Sequence, residues 1–300
     1  MTSPIPYIRD FDPRYGELVT LSPNVRRLVA HNPSPFSAWG TNVYVVGQGV
    51  VDLIDPGPGQ HAHFETLIRA LGDEQIGRIF VTHHHSDHSP MANRLAAHYG
   101  CQTFGFGPPV TKDVGGLVQM EEGDDLDFTP QVRVKDGEIF TGQNWSIEAV
   151  FTPGHTSNHV CYAVQEDHGL ICGDHIMGWS TSIISPPDGD MGDYLHSLQK
   201  VLDRRFKRLW PAHGAPIKEP APFISAYIAH RQARNAQILD LMKTGETSIT
   251  AIVPIMYADV DKRLHPAACH SVLAHMIHMV KTGQIDCDGL PSLDATYRLA

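Results

Sequence analysis

The stretch Thr82-His83-His84-His85-Ser86-Asp87-His88 decides both the fold and the chemistry that this chain can support. Its four histidines and one aspartate can all bind a transition metal at neutral pH. The run from Arg78 to Val81 before it has the β-branched and aromatic composition of a buried strand. Ser89 and Pro90 after it suit the N-cap and the first position of a helix. The sequence therefore predicts a histidine loop between a strand and a helix.

The spacing within this loop divides its side chains between two metal ions. On extended backbone, side chains two residues apart point the same way, so His83 and His85 are predicted to share one ion while His84 turns away. Asp87 and His88 follow the bend and are predicted to face a second ion. A solvated polar loop is the alternative. A lone histidine favours that alternative, whereas H-x-H-x-D-H between a strand and a helix favours a metal site.

Two later turns carry further candidate ligands. His155 follows a predicted strand in a Pro-Gly turn and is the predicted third ligand of the ion held by His83 and His85. Asp174 ends another predicted strand beside Gly173, which permits a close approach of the backbone. Each oxygen of the Asp174 carboxylate can serve one ion, so this residue is predicted to bridge the two.

Two more turns complete the predicted site. His213, in a Pro/Gly turn after a short strand, completes the second ion's set with Asp87 and His88. Asp55 ends the predicted strand from Val50 to Ile54 and has two interpretations. It is either part of the Pro-Gly turn that follows it, or a carboxylate that orients a metal-binding histidine from behind. The neighbouring motifs favour the second interpretation.

Composition limits the classes of function. The chain has 300 residues, 42% of them hydrophobic, and a net charge of -10, which disfavours general adhesion to nucleic acid or anionic membranes. Its five cysteines are odd in number and include no C-x-x-C motif, so we expect free thiols in a reducing compartment. With no visible signal peptide or membrane-spanning run, we expect a cytoplasmic protein that does not bind membranes.

The composition changes after residue 217, which predicts a catalytic domain over 1–217 and a second domain over 218–300. Helices predicted over 221–242 and 264–280, followed by a small β-ribbon, suggest a winged-helix-like module. Residues 221–300 contain seven Lys/Arg and seven Asp/Glu, so the module lacks the basic excess of a nucleic-acid-binding domain. We expect it to pack on the catalytic domain or to form a homodimer. His270, His275 and His278 are predicted to lie at the surface.

Residues 107–126 contain Pro, Gly and acidic clusters and predict an irregular segment. This segment is either a lid over the site or a solvated loop, and the pattern favours the solvated loop.

Taken together, these motifs resemble the metallo-β-lactamase superfamily over roughly residues 18–217. The matching residues are Asp55, the set His83-x-His85-x-Asp87-His88, His155, Asp174 and His213. Further likeness to the β-lactamase-like protein 2 group lies in three segments, namely residues 40–46, residues 173–176 and Tyr227-x-x-His230-Arg231. The chain departs from that group at Met177-Gly178-Trp179-Ser180, beside the expected pocket.

The resemblance implies an α/β fold, an αββα sandwich with a small winged-helix-like C-terminal domain. It also implies two Zn²⁺ ions, with Fe or Mn as alternatives, and a hydroxide shared between the ions as the nucleophile. Asp87 and Asp174 are the expected catalytic carboxylates. Asp87 would orient the hydroxide and Asp174 would bridge the ions.

Several substrates are compatible with this chemistry. The acidic chain favours a hydrolase of small-molecule esters, thioesters or lactones. A single-stranded RNA endonuclease is the alternative, because members of the β-lactamase-like protein 2 group are described as acting on such RNA. A β-lactamase and a non-catalytic metal-binding regulatory protein are further alternatives. The expected partner is accordingly a small-molecule substrate, with RNA as the alternative.

Overall fold

The computed structural model describes residues 4–109 and 122–300. A seven-stranded sheet carries the histidine loop, with its strands in chain order from edge to edge. Its first four strands pair antiparallel and its last four pair parallel. Its strands are β1 Val19–Thr20, β2 Val25–Val29, β3 Asn42–Val46, β4 Val50–Ile54, β5 Gln75–Phe80, β6 Gln102–Gly105 and β7 Val132–Arg133.

The second sheet has five strands in the order β12-β11-β10-β9-β8. Only β11 and β12 pair parallel; the other pairs are antiparallel. The strands β9, β11 and β12 therefore run in one direction and end at the same edge of the sheet. The strands are β8 Ile139–Thr141, β9 Ser146–Phe151, β10 Val160–Val164, β11 Gly169–Gly173 and β12 Arg208–Pro211.

The two sheets pack face to face with helices outside each, which confirms the predicted αββα sandwich. Tyr44, Phe80, Tyr162 and Trp210 lie in the apolar core between the sheets. The outer face of the first sheet is covered by α1 His61–Leu71 and α2 Ala92–Tyr99. The outer face of the second is covered by α3 Met191–Asp203 and the first part of α4 Pro220–Lys243. Because both faces are covered, β3, β10 and β11 are buried along their whole length.

The C-terminal region forms a second apolar core, as the predicted winged-helix-like module requires. This core combines the end of α4 with two further helices and a two-stranded sheet. The elements are α5 Ile249–Met256, α6 His265–Lys281, β13 Ile285–Cys287 and β14 Tyr297–Leu299. Phe223 and Tyr227 of α4 lie in the core of the sandwich, whereas Ile238 and Met242 lie in the C-terminal core. The boundary at residue 217 stays a prediction, and one continuous helix joins the two cores beyond it.

Two sequence expectations were wrong, and one strand was missed. The helix after the histidine loop begins at Ala92 instead of Pro90, because the Ser89 hydroxyl donates to the His85 carbonyl and to Asp125 and does not cap the helix. Strand β8 was not predicted. His275 was expected at the surface, but it is buried and its Nδ1 lies 2.6 Å from the Asn235 side-chain oxygen.

Most of the irregular segment 107–126 lies outside the described residues. Its described end packs on the histidine loop, so the expectation of a solvated loop fails there. The Asp125 amide donates to the His84 carbonyl at 2.7 Å, and the Ser86 amide donates to the Gly123 carbonyl at 2.8 Å.

Among the described helices, none is long and apolar enough to cross a membrane.

Candidate metal centre

The candidate ligands come from two sheets but meet at one edge of the sandwich. Asp55 follows β4, and the histidine loop follows the parallel strand β5. His155, Asp174 and His213 follow β9, β11 and β12, which end at a common edge. The sheets are joined there, since the Asn42 amide donates to the Ala212 carbonyl at 2.7 Å and the Val160 amide donates to the Thr82 carbonyl at 2.9 Å.

The first ligand group consists of His83, His85, His155 and Asp174, all buried. Nε2 of His83 lies 2.9 Å from Nδ1 of His85, which lies 3.3 Å from Nε2 of His155. Oδ2 of Asp174 lies 3.7 Å from the same His155 nitrogen. A tetrahedral zinc with bonds of about 2.0–2.1 Å separates its ligands by about 3.3 Å. The spacing of this group therefore fits one tetrahedral ion.

The second group consists of Asp87, His88 and His213, also buried. Oδ2 of Asp87 lies 3.4 Å from Nε2 of His88 and 3.4 Å from Nε2 of His213. Oδ1 of Asp174 lies 3.3 Å from the His213 nitrogen and 3.7 Å from the His88 nitrogen. The two oxygens of Asp174 thus face different ligand groups, in the arrangement that a bridging carboxylate needs.

Two buried atoms at the centre of this arrangement indicate a site for a cation. Nε2 of His88 and Oδ1 of Asp174 have no hydrogen-bond partner within the described parts of the chain. Buried polar atoms are nearly always satisfied, and these two converge on the same point. The residues present therefore fit a metal ion.

Three of the histidines hold their far nitrogens in outer hydrogen bonds while their near nitrogens face the ligand groups. Nδ1–H of His88 donates to Asp55 at 3.0 Å. Nδ1–H of His155 donates to the Ile183 carbonyl at 2.7 Å, and that of His213 donates to the Gly40 carbonyl at 3.1 Å. Such outer hydrogen bonds select the tautomer that leaves the other ring nitrogen with its lone pair.

Asp55 supports two of the histidines at once. It accepts from the Thr82 amide at 2.7 Å and from the Thr82 hydroxyl at 2.8 Å, as well as from His88. Because the Thr82 proton is committed to Asp55, the Thr82 oxygen accepts from Nδ1–H of His83 at 2.9 Å. Asp55 itself has a positive φ of 51°, which is uncommon outside glycine. These contacts agree with the interpretation of Asp55 as a supporting carboxylate rather than simple turn chemistry.

Electrostatics keeps the second group charged when no metal is bound. Burial alone would lower the pKa of His88, but Asp87, Asp174 and Asp55 raise the pKa to about 10. Burial would also lower the pKa of His213, but Asp174 and Asp87 raise it above its usual value. Burial would raise the pKa of Asp174, yet His213 and His88 hold it well below its usual range. A proton on His88 therefore supplies positive charge that the carboxylates need, and the raised pKa of His213 favours a second proton there.

The sequence interpretation missed several residues that support the site. Asp124 lies 3.0 Å from Nε2 of His84 and 3.5 Å from Nε2 of His85, so it holds the histidine that turns away and backs one predicted ligand. Together with the two histidines it forms a third group of candidate ligands. Asp124 is remote in sequence and stands in an acidic cluster without a motif, so no local signal marked it.

His159 and Thr41 were also missed. The Asp174 amide donates to Nε2 of His159 at 3.2 Å, and Thr41 donates to Oδ2 of Asp87 at 2.7 Å. The role predicted for Gly173 is confirmed, because a Cβ there would lie 2.6 Å from Nε2 of His159. His175 is buried against Tyr194 and stands outside both ligand groups.

A small pocket opens onto the two ligand groups. Phe36, Met177 and Ile183 give it apolar walls, and Glu122 adds a carboxylate. Among the described lining residues there is no lysine or arginine.

Comparison with known proteins gives concordant matches. The family model described as the metallo-β-lactamase superfamily matches residues 37–215, and that of the β-lactamase associated winged helix domain matches residues 248–290. A β-lactamase-like protein 2 homolog from Drosophila melanogaster is 32% identical over 277 residues, which cover 88% of this chain and 90% of that protein.

Two further matches concern activity and fold. An atrochrysone carboxyl ACP thioesterase from Aspergillus fumigatus is 29% identical over 231 residues, covering 76% of this chain and 67% of the relative. The crystal structure of a β-lactamase domain protein from Burkholderia ambifaria matches with a TM-score of 0.82 at 23% identity, covering 98% of this chain and 97% of that chain.

Proposed function

Since this chain belongs to the metallo-β-lactamase superfamily and is a metal-dependent hydrolase, we propose that it uses two zinc ions to hydrolyse a small-molecule ester, thioester or lactone. The observation that carries the proposal is the position of Asp174. Its Oδ1 faces His88 and His213, whereas its Oδ2 faces His155. One carboxylate between two ligand groups is the arrangement expected for a pair of ions that act on one substrate.

The protein's own residues have separate tasks in this reaction. Bound zinc lowers the pKa of water to about 7 and polarises a carbonyl group. Asp174 holds the two ligand groups at a fixed separation. Asp87 is held by Thr41 and is placed to accept a proton or a hydrogen bond from the attacking water. Asp55 keeps His83 and His88 in the tautomers that binding requires.

The proposed metal is zinc because the ligand set is rich in imidazole and includes carboxylates. His83, His85 and His155 supply three nitrogens to one group, and His88 and His213 supply two to the other. Iron and manganese are the alternatives that accept the same atoms. Elemental analysis of the purified protein distinguishes the three.

The pocket walls favour a neutral acyl substrate. Phe36, Met177 and Ile183 offer apolar contact, and the Glu122 carboxylate disfavours a substrate that brings several negative charges. The name of the Aspergillus thioesterase points to acyl substrates in a related protein. An RNA strand needs cations along its path, and residues 221–300 offer no excess of them. RNA cleavage is therefore the second outcome of the test below.

We propose that the protein acts in the cytoplasm. None of the five cysteines forms a disulfide, and Cys161 and Cys172 are buried. Burial raises the pKa of the Cys161 thiol to about 12, so this thiol is inert. Localisation of a tagged full-length chain in the source cell tests this placement, and a secreted or organellar signal would contradict it.

A substrate panel tests the proposed reaction. The zinc-loaded protein is incubated with an aryl ester, an acyl thioester, a lactone, a chromogenic β-lactam and a labelled single-stranded RNA. We expect hydrolysis of the ester, the thioester or the lactone, lost in His85→Ala and retained in His98→Ala, a control at an exposed histidine of α2. Cleavage of RNA alone would assign the alternative function. Hydrolysis that persists in His85→Ala or without metal would refute the proposal.

A further inference from the structure

We propose that helix α4 positions one metal ligand, His155, and one wall of the pocket through Tyr227 and Arg231. These residues lie beyond the predicted catalytic domain and touch none of the candidate ligands directly. They act on the segment from residue 175 to residue 185, which connects Asp174 to the region around His155. The inference rests on the proposed function in one respect, namely that His155 binds a metal.

Two side chains of α4 form hydrogen bonds to the backbone of this segment. The Tyr227 hydroxyl accepts from the Met177 amide at 3.3 Å and lies within hydrogen-bond distance of the Met177 and Ser180 carbonyls. The Arg231 guanidinium donates to the Ser182 carbonyl. Tyr227 is fully buried, and Arg231 is only 4% exposed. Contacts to backbone atoms do not depend on the side chains of the segment.

The segment from residue 175 to residue 185 also contacts the ligand His155. The residue after Ser182 is Ile183, whose carbonyl accepts from Nδ1–H of His155 at 2.7 Å. The Met177 and Ile183 side chains line the pocket. A displacement of this segment would therefore change both the orientation of His155 and the shape of the pocket.

The segment is also tied at its start. The His175 carbonyl accepts from the Tyr194 hydroxyl at 2.8 Å and from the Ser182 hydroxyl at 2.9 Å. His175 directly follows Asp174, and Ile183 bonds to His155. The segment therefore connects the bridging carboxylate to His155 at both of its ends. Tyr227 and Arg231 hold the middle of that connection.

The properties of the Arg231 side chain indicate that it is present for its hydrogen bond and not only to fill space. Among the described residues it has no carboxylate partner, and its Nε has no hydrogen-bond partner. Its charge is stabilised by the face of the Tyr194 ring, whose centroid lies 5.4 Å from the guanidinium carbon. Burying a guanidinium is costly, and an apolar side chain of similar volume often fills such a place with equal or greater stability. The donor to Ser182 is the contact that an apolar side chain cannot replace.

The test compares Arg231→Met, Arg231→Lys and Tyr227→Phe with Arg234→Met. Arg234 lies on the same helix, but its guanidinium donates to Gln237 and lies over Tyr257, away from the pocket. The readouts are zinc affinity by chelator competition, the visible spectrum of the cobalt-substituted protein, and KM and kcat for the best ester. Circular dichroism confirms that each variant is folded.

We expect Arg231→Met to weaken the binding of one zinc by about tenfold, as loss of an outer support typically does, and to change the cobalt spectrum. Tyr227→Phe should act in the same direction, Arg231→Lys should recover part of the loss, and Arg234→Met should match the wild type. KM should rise more than kcat falls, because the pocket wall moves.

The zinc-affinity and cobalt-spectrum measurements need no substrate. They distinguish failure of this inference from failure of the proposed function. Folded Arg231→Met and Tyr227→Phe proteins with wild-type zinc affinity and cobalt spectra would overturn the inference and leave the proposed function intact. A wild-type protein that binds no metal would overturn the proposed function itself. If Arg231→Met fails to fold, Tyr227→Phe removes a single oxygen and still decides the question.

Discussion

At the scale of single residues, the site is organised by outer hydrogen bonds as much as by ligands. Asp55 touches no predicted ion, yet it fixes His88 directly and His83 through Thr82. The tautomers in which these histidines bind a metal therefore depend on one buried carboxylate.

The first prediction concerns Asp55→Asn. The asparagine amide has a single oxygen and an NH2 group that only donates, so it cannot accept all three of these hydrogen bonds, and the tautomers of His83 and His88 lose their bias. We expect zinc affinity to fall by about 10- to 100-fold in chelator competition. Asp73→Asn, at an exposed turn, is the control and should bind zinc normally. Equal affinity in both variants would show that Asp55 belongs only to its turn.

The second prediction concerns pH and the metal-free protein. The folded pKa of His88, about 10, lies above its unfolded value of about 6.5, so its protonation stabilises the fold fully below pH 6.5. That contribution is lost as the pH rises towards 10. The Tm of the chelated wild type should therefore fall between pH 6.5 and 10, and fall less in His88→Gln. A steeper fall in the variant would contradict this assignment.

Residue-scale prediction from sequence was possible where the pattern was local. His83, His85, Asp87 and His88 are neighbours in the chain, so their spacing alone indicated how they divide. Asp124 supports the same loop but comes from a distant, irregular segment. A contact of that kind depends on tertiary packing, which no local pattern encodes.

At the scale of elements, the ends of strands place the chemistry. Five turns after β4, β5, β9, β11 and β12 carry every predicted ligand or support, and their parallel relations bring them to one edge. Strand periodicity and Pro-Gly turns made these elements predictable. Strand β8 was not, because it has three residues and is largely exposed. The start of α2 was misplaced because the Ser89 hydroxyl donates to the distant Asp125, a non-local use of a capping residue.

The third prediction tests the end of β11. Gly173 has a φ of +49°, and a Cβ there would also lie 2.9 Å from the Thr82 hydroxyl. Gly173→Ala should displace Asp174 or His159, lowering both the Tm and the zinc content. Gly100→Ala is the matched control, since its φ of +69° imposes the left-handed penalty of about 1–2 kcal/mol with nothing within 4 Å of the new Cβ. Equal losses in the two variants would mean that backbone strain alone accounts for the effect.

At the scale of the whole molecule, α4 links the two cores. Its first turns pack on the sandwich and hold the pocket wall, while its last turns belong to the C-terminal core. Residues 221–300 have balanced charge, and α4 contacts the backbone of the segment that lines the pocket. We therefore propose that the C-terminal region supports the edge of the sandwich that carries the ligand groups, and that it does not bind nucleic acid.

The central claim is that two ligand groups sharing Asp174 hold two ions that act together. Its most direct test is the metal content of the zinc-dialysed protein, measured by elemental analysis beside His155→Ala and His213→Ala. We predict about two zinc ions per wild-type chain and about one in each variant, with hydrolysis lost in both variants. A wild-type chain that retains no zinc, or variants that keep both ions, would contradict the account.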